Sequence, residues 1–329
     1  MHNPLITICV PTFNGEKYLR ECLDSCLSQT FRDFEIVICD DGSVDTTVSI
    51  VEDYAKKNGQ IKFHQNDHNL GLVGNWNKCI TLASGSWIKF LFQDDAMNAN
   101  CLQRFCENME GDSELIVCKR HFVLDKDATL ADRDYYTNAV RTLENTGHYT
   151  STWFSPKTIS HIAAENISLN FIAEPSLMLF SKHALRQLGL FDKELKQICD
   201  LEFGLRLASN YGLRYIPETL CLFRIHAHST TEKNLSSKNY WYTYLEAMAF
   251  AMKLVVKPEF KNFRTSITPL HFFKLKLYIK YKSYIAHAHI RTKEEGLEYE
   301  LLKKNYPGLF YKKLEVVYLK PFAFLKSAN

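Results

Sequence analysis

The sequence lacks the motifs of several common nucleotide-binding and metal-binding protein classes. No G-x-G-x-x-G follows the first strand-like run and no G-x-x-x-x-G-K-[ST] occurs anywhere, so the phosphate-binding loops of dinucleotide folds and P-loop proteins are missing. The ten cysteines form no C-x-x-C pair and no cysteine–histidine cluster with zinc spacing. No apolar run approaches the roughly 20 residues that a membrane-spanning helix needs. We therefore expect buried thiols in a reducing, cytoplasmic compartment, and another means of neutralising any bound phosphate.

The composition is that of a globular protein with an uneven distribution of charge. Hydrophobic residues make up 46% of the chain and aromatic residues 13%, which favours a packed core over disorder. Residues 1–252 contain 24 lysines and arginines against 31 acidic residues, whereas residues 253–329 contain 16 against 6. A basic, aromatic-rich tail on an acidic body suggests an anionic surface as the partner of the tail.

Strand-like and helix-like segments alternate along most of the chain. LITICV and FEIVIC are continuous apolar runs typical of buried parallel strands, and helices are predicted at 16–29, 46–57, 73–83 and 101–109. Further strands are predicted at IKFHQ, WIKFLF, ELIVCKRHFVL and SLMLFS, followed by a helix at 200–210 and a strand pair around 215–224. This alternation predicts an α/β fold with a mostly parallel central sheet flanked by helices.

The pattern changes twice outside this alternation. Residues 125–170 are polar and aperiodic, which predicts a long functional loop region with a short helix near Pro156 to Ala164. Beyond about Ser236 only helical patterns occur. We therefore expect an α/β domain at 1–235 and a helical, basic and aromatic-rich C-terminal extension at 236–329.

Polar clusters follow the predicted strands, at the sheet edge where open α/β folds bind ligands. These clusters are VPTFNG (Val10 to Gly15), CDDGS (Cys39 to Ser43), FQDD (Phe92 to Asp95) and the pair Cys199 and Asp200. Carboxylates are hard oxygen ligands suited to Mg²⁺ or Mn²⁺, and adjacent carboxylates repel each other without a cation. The clusters predict a shared site in which a divalent cation neutralises phosphate.

Four blocks of the sequence resemble family 2 glycosyltransferases, in the order and at the spacing of that family. They are ITICVPTFNGEKYLRECLDSCLSQTFRDFEIVICDDGSVDTT, NLGLVGNWNKCITLASGSWIKFLFQDD, GLFDKELKQICDLEFGLRLA and RIHAHS. The second resembles the block that ends in a DxD-type metal motif, although the family often has Asp where this chain has Phe92. The third resembles the catalytic-base block, with Cys199 where the family often has Glu. The resemblance covers about residues 4–231 and implies a GT-A fold and an inverting nucleotide-sugar transferase.

The resemblance also implies roles for individual residues. Phe13 would lie against the nucleobase and Asp41 would accept the imide N–H of a pyrimidine, within a nucleotide-binding set of Pro11, Thr12, Phe13, Asn14, Asp40, Asp41, Asn77 and Asp94. The Mn²⁺ or Mg²⁺ ligands would be Asp95, Asp94 and His226, with His228 as a substitute for His226. Asp200 would be the general base. Independently of the resemblance, the lone aromatic Trp153 and the segment with Glu174 and Ser176 are predicted to form the acceptor or sugar pocket.

Several of these residue types also have purely structural interpretations. Asp40 and Asp41 could end a strand in a turn and cap a helix, and Asp200 could be a helix N-cap. Phe13 could belong to the core, and His226 could be a structural histidine. The arrangement of all four blocks is what favours the functional roles.

The expected chemistry is a single displacement at a sugar. A carboxylate in reach of an acceptor hydroxyl can remove its proton during attack, contributing roughly 10²–10⁴-fold to the rate, and a metal can stabilise the leaving nucleotide diphosphate. We expect a hexosyltransferase that uses UDP-hexose or UDP-N-acetylhexosamine and a hydroxyl of a glycan or lipid-linked acceptor in surface polysaccharide or lipopolysaccharide synthesis. The alternatives are a dTDP-deoxysugar (rhamnosyl) transferase and a catalytically silent nucleotide-sugar-binding scaffold. No nucleic-acid partner is expected, because the body is acidic and carries no such motif.

The basic tail contains a candidate membrane-surface helix. Between His271 and Ile290, four apolar residues share one side of a predicted helix with lysines along its flanks; they are Phe272, Leu275, Tyr278 and Ile279. Such a helix can lie in a membrane interface with its lysines on anionic lipid. We therefore expect peripheral attachment at the inner face of the membrane. The alternative is that this side packs on the α/β domain, or on a second subunit of a homodimer.

Overall fold

The computed structural model describes residues 3–109, 111, 113–126, 143–146, 151–167, 169–227, 229 and 239–306. His228 and much of the loop region predicted at 125–170 lie outside these residues. The strands are β1 (Ile6–Thr12), β2 (Phe34–Asp40), β3 (Ile61–Gln65), β4 (Trp87–Phe90), β5 (Ala96–Met97), β6 (Leu115–Leu124), β7 (Trp153–Phe154), β8 (Met178–Ser181) and β9 (Leu213–Ile225).

The helices agree closely with the predicted segments. They are α1 (Leu19–Leu27), α2 (Thr47–Lys57), α3 (Leu72–Leu82), α4 (Cys101–Glu107), α5 (Pro156–Glu165), α6 (Lys182–Leu188), α7 (Cys199–Tyr211), α8 (Glu246–Val256), α9 (Lys261–Ser266), α10 (Pro269–Ala288) and α11 (Lys293–Asn305). Short 3₁₀ turns lie at Leu143–Thr146, Pro175–Leu177 and Pro258–Phe260, and a π-helical turn at Trp241–Leu245 precedes α8. The predicted short helix begins at Pro156, because Ser155 before it is an N-cap whose side chain accepts the N–H of Thr158 and proline is favoured at the first helical position.

The strands of the described residues form one mixed sheet in the order β3-β2-β1-β4-β8-β6-β9-β5, with β7 also paired to β9. The neighbours β3, β2, β1 and β4 are parallel, as are β6 and β9. In contrast, β8 is antiparallel to β4 and β6, while β5 and β7 are antiparallel to β9. The α/β class is therefore confirmed. The parallel pairing is confined to the strands joined by helical crossovers and to the β6–β9 pair.

The strand pair predicted around 215–224 is instead one long strand, β9. Ile216 pairs with Cys118 but the next pair is Thr219 with Lys119, so Pro217 and Glu218 form a bulge. Proline cannot donate to a strand ladder and is tolerated at such bulges. The turn-like signal of Pro217 therefore marks an irregularity within a strand rather than a chain reversal.

The core lies on both faces of the first strands. Every residue of β1 and β2 is buried, as expected for strands covered by helices on both sides. The ten cysteines are free thiols and all except Cys106 are buried, which confirms that they act as small apolar residues.

The C-terminal helices continue this core rather than standing apart from it. Nearly all of α8 is buried, including Met248 and Leu254, which are fully excluded from solvent. The side of α10 predicted to face a membrane turns inward, since Leu275 and Ile279 are only 5% and 1% exposed and Phe272 and Tyr278 pack against the core. The prediction that this side contacts a membrane is therefore wrong, and the alternative, packing on the protein, is what the structure has. Burial against the protein removes these apolar side chains from water. Among the described residues, no helix has both the length and the apolar character that a membrane crossing demands.

Candidate active site

A cleft of about 820 Å³ lies beyond the carboxyl ends of β1, β2, β4 and β9. This is the sheet edge at which open α/β folds bind ligands. The predicted site residues that line it are Pro11, Thr12, Phe13, Asn14, Asp41, Asp94, Asp95, Glu174, Asp200 and His226. The fold thus brings together segments that are far apart in the sequence.

Asp41 lies at the end of β2, with its carboxylate oriented by the loop before α3. Its Oδ1 accepts N–H groups from Asn66 at 2.9 Å and Leu70 at 2.8 Å, and its Oδ2 accepts the N–H of Gly71 at 3.0 Å. A carboxylate offers about four lone-pair positions in total. Roughly one position, on Oδ2, is therefore left for a ligand.

The backbone of Phe13 is held by Gln93, a residue to which the sequence analysis assigned no role. Gln93 Oε1 accepts the N–H of Phe13 at 2.9 Å, and Gln93 Nε2 donates to the Phe13 carbonyl at 3.0 Å. A Cβ on Gly15 would clash with the Gln93 side-chain amide, so glycine here leaves room for Gln93 to reach Phe13. Phe13 itself is 46% exposed and lines the cleft, which fits a ring that contacts ligand better than a core residue.

Asp94 and Asp95 follow β4 and meet the end of β9. His226 Nε2 lies 3.0 Å from Asp94 Oδ2, and Asp95 Oδ1 accepts the backbone N–H of Arg224 at 3.0 Å. Asp95 is buried, and its Oδ2 has no hydrogen-bond partner among the described residues. Burial and the adjacent Asp94 carboxylate raise the pKa of Asp95 well above its usual value.

Arg224 and Tyr18 support this carboxylate cluster. The Arg224 guanidinium lies 4.7 Å from the centre of the Tyr18 ring, and its Nε donates to the Asp94 carbonyl at 3.1 Å. The Tyr18 ring is also 5.0 Å from the imidazole of His226, and its hydroxyl donates to Asp125. These contacts hold the His226 ring and the Asp94 backbone in one arrangement.

Asp200 stands in the first turn of α7 and faces the same cleft. Its Oδ2 accepts the side-chain N–H of Asn170 at 2.9 Å, and its Oδ1 accepts the N–H of Leu201 at 2.7 Å. Burial, and secondarily the negative charge of Glu174, raise the pKa of Asp200 to about 7. A carboxylate with this pKa is a stronger base than an ordinary aspartate and is still substantially ionised near neutral pH.

Glu174 is the neighbouring carboxylate on this wall of the cleft. Arg120, which is 7% exposed, donates from its guanidinium to Glu174 Oε2 at 2.7 Å. The ion pair fixes Glu174 beside Asp200, where its charge acts on the pKa of Asp200. Besides Asp41, the cleft therefore holds the carboxylate pair Asp94 and Asp95 and, on another wall, the pair Glu174 and Asp200.

Comparison with known proteins identifies the family of the chain. Residues 7–188, more than half of the chain, match the family described as Glycosyl transferase family 2. The chain belongs to glycosyl transferase family 2. A relative from Haemophilus influenzae, described as an uncharacterized glycosyltransferase, is 22% identical over 264 residues, which are 77% of this chain and 78% of the relative.

Solved structures of transferases share the fold. Staphylococcus aureus TarS 1–349 in complex with UDP-GlcNAc superposes with a TM-score of 0.61 at 20% identity, covering 92% of this chain and 80% of that one. The mannosyltransferase PcManGT of Pyrobaculum calidifontis, in complex with GDP-Man and Mn²⁺, has a TM-score of 0.54 at 17% identity, covering 100% of this chain and 86% of that one. The predicted GT-A fold is confirmed.

Two residues predicted to bind nucleotide in this glycosyltransferase lie outside the cleft lining. Asp40 is fully buried, and its carboxylate accepts hydrogen bonds from Thr12, Gly42 and Ser43. Asn77 donates to the carbonyl of Phe191 at 2.9 Å and accepts its N–H at 3.0 Å. We therefore assign both side chains to holding the glycosyltransferase fold, because their polar atoms are already committed to the protein.

Two residues predicted for the acceptor pocket also lie away from the cleft lining. Trp153 belongs to β7 and lies over the guanidinium of Arg214 at 5.9 Å, beside Gly212. Ser176 is 1% exposed, and its carbonyl accepts hydrogen bonds from the buried Lys89 and from Cys221. Of the predicted acceptor residues, Glu174 is the one that reaches the cleft.

The cleft is also lined by residues that the sequence pattern did not indicate. Asn75, Trp76, Gln93, Lys196 and Arg224 all line it. Gln93 and Arg224 fall within the quoted blocks FQDD and RIHAHS, and Asn75 lies two positions before Asn77 in the second block. The blocks marked the correct segments and most of the side chains that line the cleft, but not every one.

Proposed function

We propose that the protein is an inverting, metal-dependent glycosyltransferase in which Asp200 is the general base. The observation that carries this proposal is the cleft itself, in which the half-buried Asp200 carboxylate, with a pKa of about 7, shares one space with the Asp94–His226 pair. Asp200 beside Glu174, and Asp94 beside Asp95, match the two requirements of the reaction, a proton acceptor and a site for the diphosphate. A retaining double displacement would need a nucleophile at the anomeric carbon, and we assign none.

The proposed reaction is a direct displacement. The acceptor hydroxyl oxygen attacks the anomeric carbon, the bond between that carbon and the phosphate oxygen breaks, and the nucleoside diphosphate leaves with the electron pair. Asp200 takes the hydroxyl proton during the attack, because its raised pKa makes it a stronger base than an exposed aspartate. Attack from the face opposite the leaving group inverts the configuration at the anomeric carbon.

The metal proposal rests on the donor atoms at the end of β4. Among the described residues, no three acidic, histidine or cysteine side chains surround a common point as a ready metal cage. The free buried Oδ2 of Asp95 and the Asp94–His226 pair nevertheless fit a hard cation. Sites for Mg²⁺ or Mn²⁺ commonly have one or two protein carboxylates as ligands, and substrate phosphates provide further ligands. When bound, the cation would supply charge stabilisation to the leaving diphosphate.

Asp41 supports a pyrimidine nucleotide over a guanine nucleotide. Its Oδ1 already accepts two protein N–H groups and its Oδ2 accepts one. One remaining acceptor position suits the single imide N–H of uracil or thymine, whereas guanine presents two adjacent N–H donors. We therefore propose a UDP-hexose or UDP-N-acetylhexosamine as the donor. UDP-GlcNAc, the ligand in the TarS complex, is a donor of this class. A dTDP-deoxysugar stays the alternative, because thymine has the same imide edge.

We further propose a glycan or lipid-linked acceptor in surface polysaccharide or lipopolysaccharide synthesis, used at the cytoplasmic face of a membrane. The outward side of α10 supports a peripheral contact, since Leu270, Phe273 and Tyr284 are 59%, 58% and 53% exposed. The helix also contains four lysines and no acidic residue. Exposed apolar and aromatic side chains on a lysine-rich helix suit an anionic lipid interface. A second copy of the chain is the alternative partner for this side.

Calorimetry with a panel of nucleotide sugars, with and without Mn²⁺, tests the donor and the metal together. We expect UDP-sugars to bind with Mn²⁺ and GDP-sugars to bind more weakly. Donor turnover in the presence of glycan acceptors separates the enzyme from a silent scaffold, which would bind the donor and leave it intact. Absence of both binding and turnover across UDP- and dTDP-sugars would refute the proposed function.

A further inference from the structure

The segment that leads into the proposed base is attached to the C-terminal extension. Residues 196–199 line the cleft immediately before Asp200. Glu246, the first residue of α8, accepts the backbone N–H of Lys196 and also that of Gln197, the latter at 2.9 Å. Glu246 is 1% exposed. A buried carboxylate of the extension therefore fixes the backbone that carries the cleft wall toward Asp200.

A second buried charge on α8 holds the preceding part of the same segment. Lys253 is 2% exposed, and its ammonium donates to Asp192 Oδ2 at 2.7 Å and to Glu194. Residues seven positions apart lie on the same side of a helix. One side of α8 thus contacts the segment 192–197 at two points, through charges of opposite sign.

These two charges do not have the character of ordinary stabilising contacts. Burying a charge is costly, and apolar side chains of similar volume often serve stability equally well. Glu246 and Lys253 are two helical turns apart, too far to neutralise each other as an i,i+3 or i,i+4 pair, and each bonds instead to the segment before Asp200. What they add is a defined position for that segment, since charged hydrogen bonds are directional while apolar packing is not.

We propose that Glu246 and Lys253 are positioning residues for catalysis, which set the place of Asp200 and of the cleft wall at Lys196 and Gln197. This inference rests on the proposed function, because it assigns them to the base-catalysed transfer step. A displacement of about 1 Å at a reacting group can cost roughly 10²-fold in rate. The nucleotide contacts at Phe13 and Asp41 belong to other segments, after β1 and β2. Loss of either residue therefore lowers the transfer rate and spares donor binding.

The test compares Glu246→Ala with Glu246→Gln in the full chain. Glutamine keeps an oxygen that can accept both backbone N–H groups, whereas alanine leaves them unpaired in a buried place. We expect Glu246→Ala to lower kcat by about ten- to a hundredfold while the Kd for the nucleotide sugar changes less than about threefold. Glu246→Gln should restore most of kcat. The apparent pKa in its pH profile of kcat/KM should stay near that of the wild type.

Met248→Ala is the matched control, because Met248 is a fully buried α8 residue with an apolar side chain. It should lower the melting temperature at least as much as Glu246→Ala and leave kcat near the wild-type value. If Glu246→Ala does not fold, Lys253→Met carries the test, since methionine retains the packing and removes the ammonium. A variant that folds, binds donor and keeps wild-type kcat overturns the inference. A wild-type enzyme without transfer activity overturns the proposed function instead.

Discussion

His226 Nε2 lies 3.0 Å from Oδ2 of Asp94, although 132 positions separate the two residues in the chain. The pair joins the end of β9 to the loop after β4, next to the Asp95 carboxylate, whose Oδ2 has no hydrogen-bond partner in the part of the chain that the structure describes. Nitrogen and oxygen atoms that can ligate a metal ion thus converge from two segments of the chain. They meet where the diphosphate of a nucleotide sugar is proposed to bind. This relationship is the structural basis of the predicted metal dependence.

Asp95→Asn should lower transfer activity by about 10²-fold, the scale expected when a main electrostatic stabiliser of the transition state is lost. The physical reason is that an amide is a far weaker cation ligand than a carboxylate. Calorimetry should show that the variant loses the Mn²⁺-dependent part of donor binding. Asp53→Asn, an exposed α2 residue, is the matched control. Full activity of the wild-type enzyme in excess EDTA would contradict the prediction.

The ionisation of Asp200 should control the acid side of the pH profile. Because its pKa is raised to about 7, the basic, deprotonated form accumulates as pH rises through that value, and kcat/KM should rise with it. The nearby Glu174 charge contributes to this raised pKa. Glu174→Gln should therefore move the rising limb to lower pH.

Glu16→Gln is the control for that experiment, since Glu16 also lines the cleft but bonds to Thr46. Glu16→Gln should leave the pH of the rising limb of the kcat/KM profile unchanged. Steady-state kinetics between about pH 5 and 9 measure both variants. A limb near pH 4 in the wild type would contradict a raised pKa of Asp200. A limb near pH 7 that Glu174→Gln leaves in place would mean that Asp200 is not the group observed.

The sequence predicted which strand ends carry the site, but not which side chain of each cluster faces the cleft. Asp40 and Asp41 are adjacent, and alternate residues of an extended strand point in opposite directions, so one is buried in the turn and the other reaches the cleft. Asn75 and Asn77 differ in the same way on α3, where two positions correspond to about 200° of rotation. Deciding between such neighbours requires the exact end of the strand or the rotation of the helix, which local patterns do not define.

Gln93→Ala should weaken donor binding through Phe13. The variant removes two hydrogen bonds that hold the Phe13 backbone at the cleft, and a hydrogen bond contributes about 1 kcal/mol. We expect the Kd for the nucleotide sugar to rise about three- to tenfold, with kcat at saturating donor little changed. Gln103→Ala is the control, because Gln103 is a half-buried glutamine of α4 that bonds to Glu107 away from the cleft lining. An unchanged Kd in Gln93→Ala would show that the position of Phe13 does not affect the donor.

The outward side of α10 should bind anionic vesicles. Phe273 and Tyr284 lie about three turns apart on this side, and basic residues near a lipid surface contribute about 1 kcal/mol each. Phe273→Ser with Tyr284→Ser should lower co-sedimentation with phosphatidylserine vesicles, and about 1 M salt should release the wild-type protein because it screens the lysines.

Leu297→Ser with Leu301→Ser is the matched control for the lipid experiment. These two side chains are 63% and 57% exposed but belong to α11, which carries several glutamates. The control should bind vesicles like the wild type. Equal loss of binding in both pairs, or no binding by the wild type, would contradict a lipid contact through α10.

The C-terminal extension shows a second limit of sequence patterns. The apolar residues Leu275 and Ile279 were predicted correctly to share one side of a helix, yet that side is buried in the protein. α10 carries apolar side chains on both sides, so its pattern does not indicate which side meets the core. The buried charges of Glu246 and Lys253 gave no signal at all, because an isolated charged residue in a helix usually faces water.

The central claim is that Asp200 removes the proton of the acceptor hydroxyl. Asp200→Asn keeps the size of the side chain and removes its basicity, so the most direct measurement is turnover and donor affinity on the same preparation of this variant. The account predicts a nucleotide-sugar Kd within about threefold of the wild type and a kcat lower by roughly 10²–10⁴-fold. Turnover within a few-fold of the wild type would contradict the account.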